Sequence, residues 1–408
     1  MLEKLRATYH EFPGQFWLIM AATLIDLLGG FLIFPFFSLY FTEKFGVALT
    51  EAGLIYAIWA VAGMGAQFLG GAITDRIGRK NMLIFGLVSS ALSSLALALA
   101  TDFFYIYITA ALGGLFSRIG GPARLAMVAD LLPKDKLTEG YAIWRVVSNL
   151  AYVFGPAIGG WLAGISFVSI FFVDAVTSIL TAVFTALFLK ETRSLVAAAK
   201  TDKQSMSQVF RGYLHILKDR HLLALISIAG LVGLVYWQWF FSVPVFMRDV
   251  HAMPPHFYGS LMSISGLTIV FVQLPLTRRL RSFSPWVLLA VGAFLFALGF
   301  GSFGFIAGYP LFLLAFTIIT FGEMISDPTR EALVARLAPE DMRGRYMAFA
   351  SLAFTIPNML GPALGGLLLD NAKPHLLWYL AGGLATLGAL AYLTHARFSR
   401  PESPAQNL

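Results

Sequence analysis

Apolar runs of about 20 residues recur along the whole chain, each long enough to cross a bilayer core of roughly 30 Å as a helix. They fall at about 16–41, 51–73, 81–100, 103–130, 139–163, 166–189, 222–247, 257–277, 285–307, 309–335, 345–369 and 374–395. In hydrocarbon every backbone polar group must be bonded inside its own segment or in a closed barrel, so runs of this length read as helices. The expected class is an all-α polytopic membrane protein. Composition agrees, with 58% hydrophobic and only 12% charged residues, about half the charge of an ordinary soluble domain. After Lys4 and Arg6 the first run is too long for a signal peptide and lacks a small-residue cleavage site, so it is expected to stay as a signal anchor. Cysteine is absent, which removes disulfides, thiolate catalysis and cysteine metal sites.

The connections alternate in basic content. One side holds Lys4 and Arg6; Arg76, Arg79 and Lys80; Arg124, Lys134 and Lys136; the central segment; Arg278, Arg279 and Arg281; Arg330, Arg336, Arg343 and Arg345; Arg397 and Arg400. The other side holds Lys44, Arg248 and Lys373. The positive-inside rule then places both termini and the central segment in the cytoplasm. The net charge of +7 is accounted for by these loops, with no need of a nucleic-acid partner.

Residues 190–221 form the one long connection. Within it Met206, Phe210, Tyr213, Leu214 and Leu217 share a helical face away from Arg211, His215 and Lys218. Such a helix suits the membrane interface, and equally a linker packed on the helix ends. The second half repeats the first at an offset of 206 residues: GPARLAMVADLLPKD (121–135) aligns with DPTREALVARLAPED (327–341), and GPAIGG (155–160) with GPALGG (361–366). The expected domains are therefore two pseudo-symmetric six-helix bundles, 1–189 and 222–408, joined by the linker 190–221. Repeats of this kind place a site near the midplane and work by rocking about it, which favours a transporter over a channel or an enzyme.

Several motifs carry a resemblance. GGAITDRIGRK (70–80) lies between spans two and three, and its G-x-I-x-D-R-x-G-R-K pattern resembles the cytoplasmic loop signature of the major facilitator superfamily. IDLLGGFLIFP (25–35) in span one is similar to the twelve-helix drug:proton antiporters of that superfamily, with Asp26 nine residues before Pro35. The segment 322–349 resembles the multidrug-resistance, MdtH-type branch. The resemblance spans nearly the whole chain and implies the major facilitator fold. It also implies a cytoplasmic gate of Gly71, Asp75, Arg76, Gly78 and Arg79. Asp327, one turn beyond Glu323 and beside Pro328 and Arg330, is expected either to pair locally with Arg330 or to join it as a gate residue at the same mouth. GPAIGG resembles the family's antiporter motif. Its repetition makes Gly155, Pro156, Gly159, Gly160, Gly361, Pro362, Gly365 and Gly366 a helix-packing set first. The family's arginine in span four is expected near Ala110 or Ala111, whereas this chain has Arg118.

Carboxylates inside spans are costly and mark function by default. Asp26 and Glu323 are the candidates for proton coupling, with Arg118 as a partner for one of them. A packing role for Asp26 is the alternative. Glu323 has Ser117 as its repeat counterpart, so its charge is particular to the second half. Asp174 is expected to be structural, satisfied by Thr177 or Ser178. Tyr236, Trp237, Gln238 and Trp239, with Arg118, are candidates for the substrate cavity, where aromatic rings can hold flat or cationic compounds. The histidines fall at span ends or loops, and no metal cluster, nucleophile–base pair or phosphate loop is present. The expectation is a monomeric secondary transporter of the bacterial inner membrane, without cofactor. It would export lipophilic cationic or neutral compounds in exchange for protons. Two alternatives stay open: carriage of another solute or amphiphile on the same fold, and a sensor or scaffold without flux.

Overall fold

In the computed structural model, residues 9, 11–133, 136–192, 216–339 and 342–398 are described, with the side chains of 67–72, 75, 76, 138, 343, 344 and 398 left aside. Every regular element among them is helical. Among the described residues twelve helices are long and apolar enough to cross a membrane. They are α1 (Gly14–Phe45), α2 (Leu49–Ala66, its helix running on to Ile77), α3 (Arg79–Leu99), α4 (Phe103–Leu131), α5 (Glu139–Ile165) and α6 (Phe167–Phe188). The second set is α7 (Arg220–His251), α8 (Pro255–Leu280), α9 (Pro285–Ser302), α10 (Tyr309–Leu337), α11 (Arg345–Asn371) and α12 (Pro374–Arg397). Each coincides with one of the apolar runs. Their outer faces carry large apolar side chains such as Phe271, 73% exposed, and Leu187, 71% exposed. In water such faces would be aggregation surfaces; in a bilayer they meet lipid.

Local chemistry sets the breaks. Asp102 accepts from the Phe104 N–H and Asp219 from those of His221 and Leu222, so α4 and α7 start on side-chain caps. Gly46 ends α1 in the left-handed region at φ 63°. Pro35 lies in a 3₁₀ turn within α1, and another 3₁₀ turn, Arg118–Gly120, precedes Pro122 in α4; a proline withholds one helical hydrogen bond. The amphipathic helix expected around Met206–Leu214 lies outside the described residues.

Two compact units form. One holds the first six spans together with Pro244–Gly266; the other holds the rest of the second half. In the first unit, Phe16, Ile19, Leu83, Leu87, Met127 and Val128 make a buried core between α1, α3 and α4. Gly259 of α8 packs on the Pro156 carbonyl of α5, and Arg248 reaches Glu43 at 3.8 Å. In the second unit Trp239 is buried against Phe316 and Phe300, with ring centroids 4.4 and 6.1 Å away.

The duplication extends to the helices and their contacts. Helices begin at Gly14 and Arg220, Leu49 and Pro255, Arg79 and Pro285, Phe103 and Tyr309, Leu137 and Arg343, each pair 206 residues apart, and at Phe167 and Pro374, 207 apart. The GPxxGG glycines make equivalent contacts. In the first unit Gly155 lies on Phe31, and Gly159 on Leu32 and Phe36. In the second, Gly361 lies on Trp237, and Gly365 on Gln238 and Ser242. These partners are again 206 apart in the chain. Absent side chains let α5 approach α1, and α11 approach α7, at backbone distance; Gly160 lies against Pro255 and His256 within the first unit.

Candidate functional site

The four acidic and basic groups of the two midspan regions show how the copies diverged. Arg124 and Arg330 occupy equivalent positions. Arg124 donates from Nη2 to Asp26 Oδ2 at 2.5 Å, tying α4 to α1, with both side chains largely buried. Two expectations are corrected here. Arg124 is not a loop cation but a residue of α4, and Arg118 does not pair with Asp26, whose charge Arg124 already meets. In the second copy the Asp26 position is Val232, and the Gly121 position is Asp327. The acid has moved from the partner helix to the arginine's own helix: Arg330 donates to Asp327 Oδ1 at 2.8 Å, three residues away. So α7 is not tied to α10 by this pair.

The polar link between α7 and α10 is made by Glu323. It is the fifteenth residue of the 29-residue helix Tyr309–Leu337, about 21 Å from its start at 1.5 Å per residue. The Tyr236 hydroxyl donates to Glu323 Oε1 at 3.0 Å. Among the described residues no lysine or arginine lies within ion-pair distance of Glu323. Tyr236 is packed among Phe240, Phe296 and Phe354, with ring centroids 5.8–5.9 Å away. The Arg330 guanidinium lies over the Phe354 ring at 5.6 Å. A cavity of about 30 Å³ opens between Tyr236, Phe296, Ser326, Asp327, Arg330 and Phe354, enough for a water molecule. The tyrosine that holds Glu323 and the Asp327–Arg330 pair thus share one small polar space.

The other aromatic-run residues lie elsewhere. Trp237 donates its indole N–H to the Phe354 carbonyl at 3.2 Å. Gln238 is 4% exposed; it donates to the Gly361 and Leu234 carbonyls and accepts from Ser242. Its amide is consumed in holding α7 to α11. Trp239 faces the core of its unit. Of the four, Tyr236 is the one brought to Glu323.

In the first unit Arg118 stacks on Trp59, its guanidinium 4.1 Å from the ring, and a side chain at Gly63 would collide with it, the Cβ standing 2.7 Å from Arg118 Cδ. Among the described residues Arg118 makes no ion pair. Asp174, 4% exposed, accepts from Ser94 Oγ of α3 at 2.5 Å. The expected partners were Thr177 and Ser178, but the Thr177 hydroxyl bonds the Asp174 backbone carbonyl instead. A one-turn spacing permits either bond, and only the neighbouring helix supplies the alternative.

At the basic end, the side chains of Gly71, Asp75 and Arg76 lie outside the described residues. Arg79 pairs with Asp130 and donates to the Ala126 carbonyl. Glu191, which follows α6, accepts from the backbone N–H groups of Arg79 and Lys80 at 3.0 and 3.1 Å. It caps α3, and its charge suits a helix N-terminus. Gly78 has φ 104°, and a Cβ there would stand 2.6 Å from Glu191 Oε2. Gly78→Ala is expected to destabilise the protein by about 1–3 kcal/mol through backbone strain, checked by thermal unfolding in detergent; an unchanged melting temperature would refute the assignment.

A family model described as the Major Facilitator Superfamily matches residues 19–329 and 251–408. The chain is 28% identical over 397 residues to a "Na(+), Li(+), K(+)/H(+) antiporter" of Planococcus maritimus, covering 89% of this chain and 91% of that one. It is 27% identical over 396 residues to the "Multidrug resistance protein MdtH" of Photorhabdus laumondii subsp. laumondii, covering 95% of each. Among solved structures, a POT family transporter in complex with 5-aminolevulinic acid superimposes with a TM-score of 0.78 at 15% identity, covering 95% of this chain and 96% of that one. That likeness speaks for the fold alone. The match over most of the chain, with twelve membrane-length helices and two copies of one six-helix pattern, makes this protein an integral membrane transporter that belongs to the Major Facilitator Superfamily.

Proposed function

We propose that the protein exchanges protons for lipophilic cationic or neutral compounds, exporting them by alternating access across the bacterial inner membrane, with the basic loops in the cytoplasm. The observation that carries this reading is the state of Glu323: mid-depth, held not by a cation but by the hydroxyl of Tyr236, which lines a water-sized cavity. Asp26 is neutralised by Arg124 and serves better as a permanent tie between α1 and α4. Glu323 has no such permanent partner. A proton and a cationic substrate each neutralise its charge, so they compete for it, and that competition is the coupling. The rings of Phe296, Phe354 and Tyr236 favour an organic cation by π-face attraction. The Asp327–Arg330 pair and the Gly78–Arg79 turn are proposed as elements of the cytoplasmic gate.

A second reading, exchange of monovalent metal cations for protons, is favoured by the relative from Planococcus maritimus. One experiment separates them. Purified protein in liposomes carrying an imposed pH gradient is given ethidium, or sodium, lithium or potassium salts, and proton movement is followed with an internal pH dye. Proton movement on ethidium addition is expected. Movement with the metal salts alone would replace the first reading with the second, and none with either would overturn both.

A further inference from the structure

Pro328 stands inside α10, four residues after Met324. A proline has no N–H to give, and its ring presses on the carbonyl four residues earlier. The Met324 carbonyl therefore loses its helical partner. Met324 is 1% exposed, and a buried carbonyl is almost always bonded to something. Here Gln273 of α8 donates Nε2 to that oxygen at 3.0 Å, and the same nitrogen donates to Thr277 Oγ1 at 3.0 Å. Met324 directly follows Glu323. The break in α10 is thus closed by a side chain from another helix, next to the carboxyl proposed to couple transport.

The two kinds of bond respond differently to motion. A helix's own hydrogen bond moves with the helix. The Gln273 bond exists only while α8 and α10 keep this register. We propose that Gln273 is a positioning residue for Glu323: an amide clamp that fixes the bend of α10 at Pro328 and opens when α10 moves in the transport cycle. The sequence carries the same two residue types at the same spacing in the first half, as Gln67 and Pro122. The titratable groups around this stretch are Tyr236 of α7, Asp327 and Arg330 of α10 and Tyr392 of α12, all lining the one cavity. The inference rests on the proposed role of Glu323, and its test separates the two.

Because the chain has no cysteine, two labels can be placed without background. Arg279→Cys and Arg336→Cys, both at exposed positions near the ends of α8 and α10, report the leg of α10 beyond Pro328 against α8. Distance distributions between nitroxides at these sites, in lipid nanodiscs at acidic and alkaline pH, are the measurement. Gln273→Met keeps the volume and removes the donor. It is expected to shift the balance between two α10 positions by about tenfold, the effect of one buried acceptor left unpaired. Pro328→Ala restores an N–H for Met324, so adding Gln273→Met to it is expected to change nothing further. A wild-type distribution in Gln273→Met, or an equal shift on both backgrounds, would overturn the clamp. Glu323→Gln reads the other claim. If the distribution ceases to respond to pH in Glu323→Gln while Gln273→Met still shifts it, both stand; if the pH response persists, the clamp stands without the coupling role of Glu323.

Discussion

Glu323→Gln is expected to abolish transport driven by a pH gradient while leaving the protein folded. The substitution keeps an acceptor for the Tyr236 hydroxyl, 3.0 Å away in the native protein, and removes the carboxyl proposed to exchange the proton. In liposomes, one pH unit drives up to about tenfold accumulation per proton exchanged, since one unit corresponds to 1.36 kcal/mol. In Glu323→Gln that ratio is expected to fall to one, with exchange of substrate across the membrane preserved. Retained accumulation would remove Glu323 from the coupling step. Tyr236→Phe should act more mildly, because it deletes a hydrogen bond and not the carboxyl. A rate lower by roughly 10- to 100-fold is expected, from the value of about 1.5–3 kcal/mol for a hydrogen bond to a charged group, with the accumulation ratio at saturation kept. Measured accumulation ratios and initial rates separate these two effects.

Arg124→Ala is expected to be the most destabilising single change in the first unit. It leaves Asp26 largely buried without its cation, and breaking one side of a buried pair costs about 3–5 kcal/mol. The Asp26→Asn, Arg124→Gln double variant removes both charges and keeps hydrogen-bonding capacity, so it should recover most of the loss. Melting temperatures of the single and double variants in detergent form the cycle that checks this. If Arg124→Ala melts as the wild type does, the pair contributes nothing to the fold. Arg330→Ala is expected to be milder. Its acid, Asp327, is more exposed than Asp26, at 35% against 19% for the side chain, and the pair lies within one helix, so its loss unties no helices.

Much of the architecture was legible in the chain. The twelve helices follow from apolar length alone, because hydrocarbon forces each segment to satisfy its own backbone. The 206-residue offset predicted equivalent helices, and it holds even for glycine contacts such as Gly155 with Phe31 and Gly361 with Trp237. Glu323 stands out in the sequence as a carboxylate inside an apolar run, and its repeat counterpart, Ser117, carries no charge. Other parts of the site were not legible. Arg124 falls within the apolar run 103–130 yet reads as a loop cation, because the charge alternation groups it with Lys134 and Lys136 and does not show the acid that meets it. Gln238 and Trp239 read as cavity residues, because a run of aromatics spanning more than a turn does not say which face is outward. Gln273 has a repeat counterpart in Gln67 but nothing in the sequence names its partner: the need for it arises at Met324, 51 residues away. Glu191 reads as the start of a linker, and only the approach of α3 makes it a cap.

The sequence by itself determined the number of spans, their class, the duplication and the residues too costly to bury without purpose. Those properties depend on periodicity, length and residue type, which are local. Tertiary structure alone decided the pairing across helices: that Asp26 belongs to Arg124 and that Glu323 is held by Tyr236. The Asp327–Arg330 pair, three residues apart on one helix, was already legible as a local spacing. A charge in hydrocarbon must find a partner, but which partner it finds depends on which helices meet and at what height. That is fixed by the packing of glycine faces and proline breaks across helices far apart in the chain.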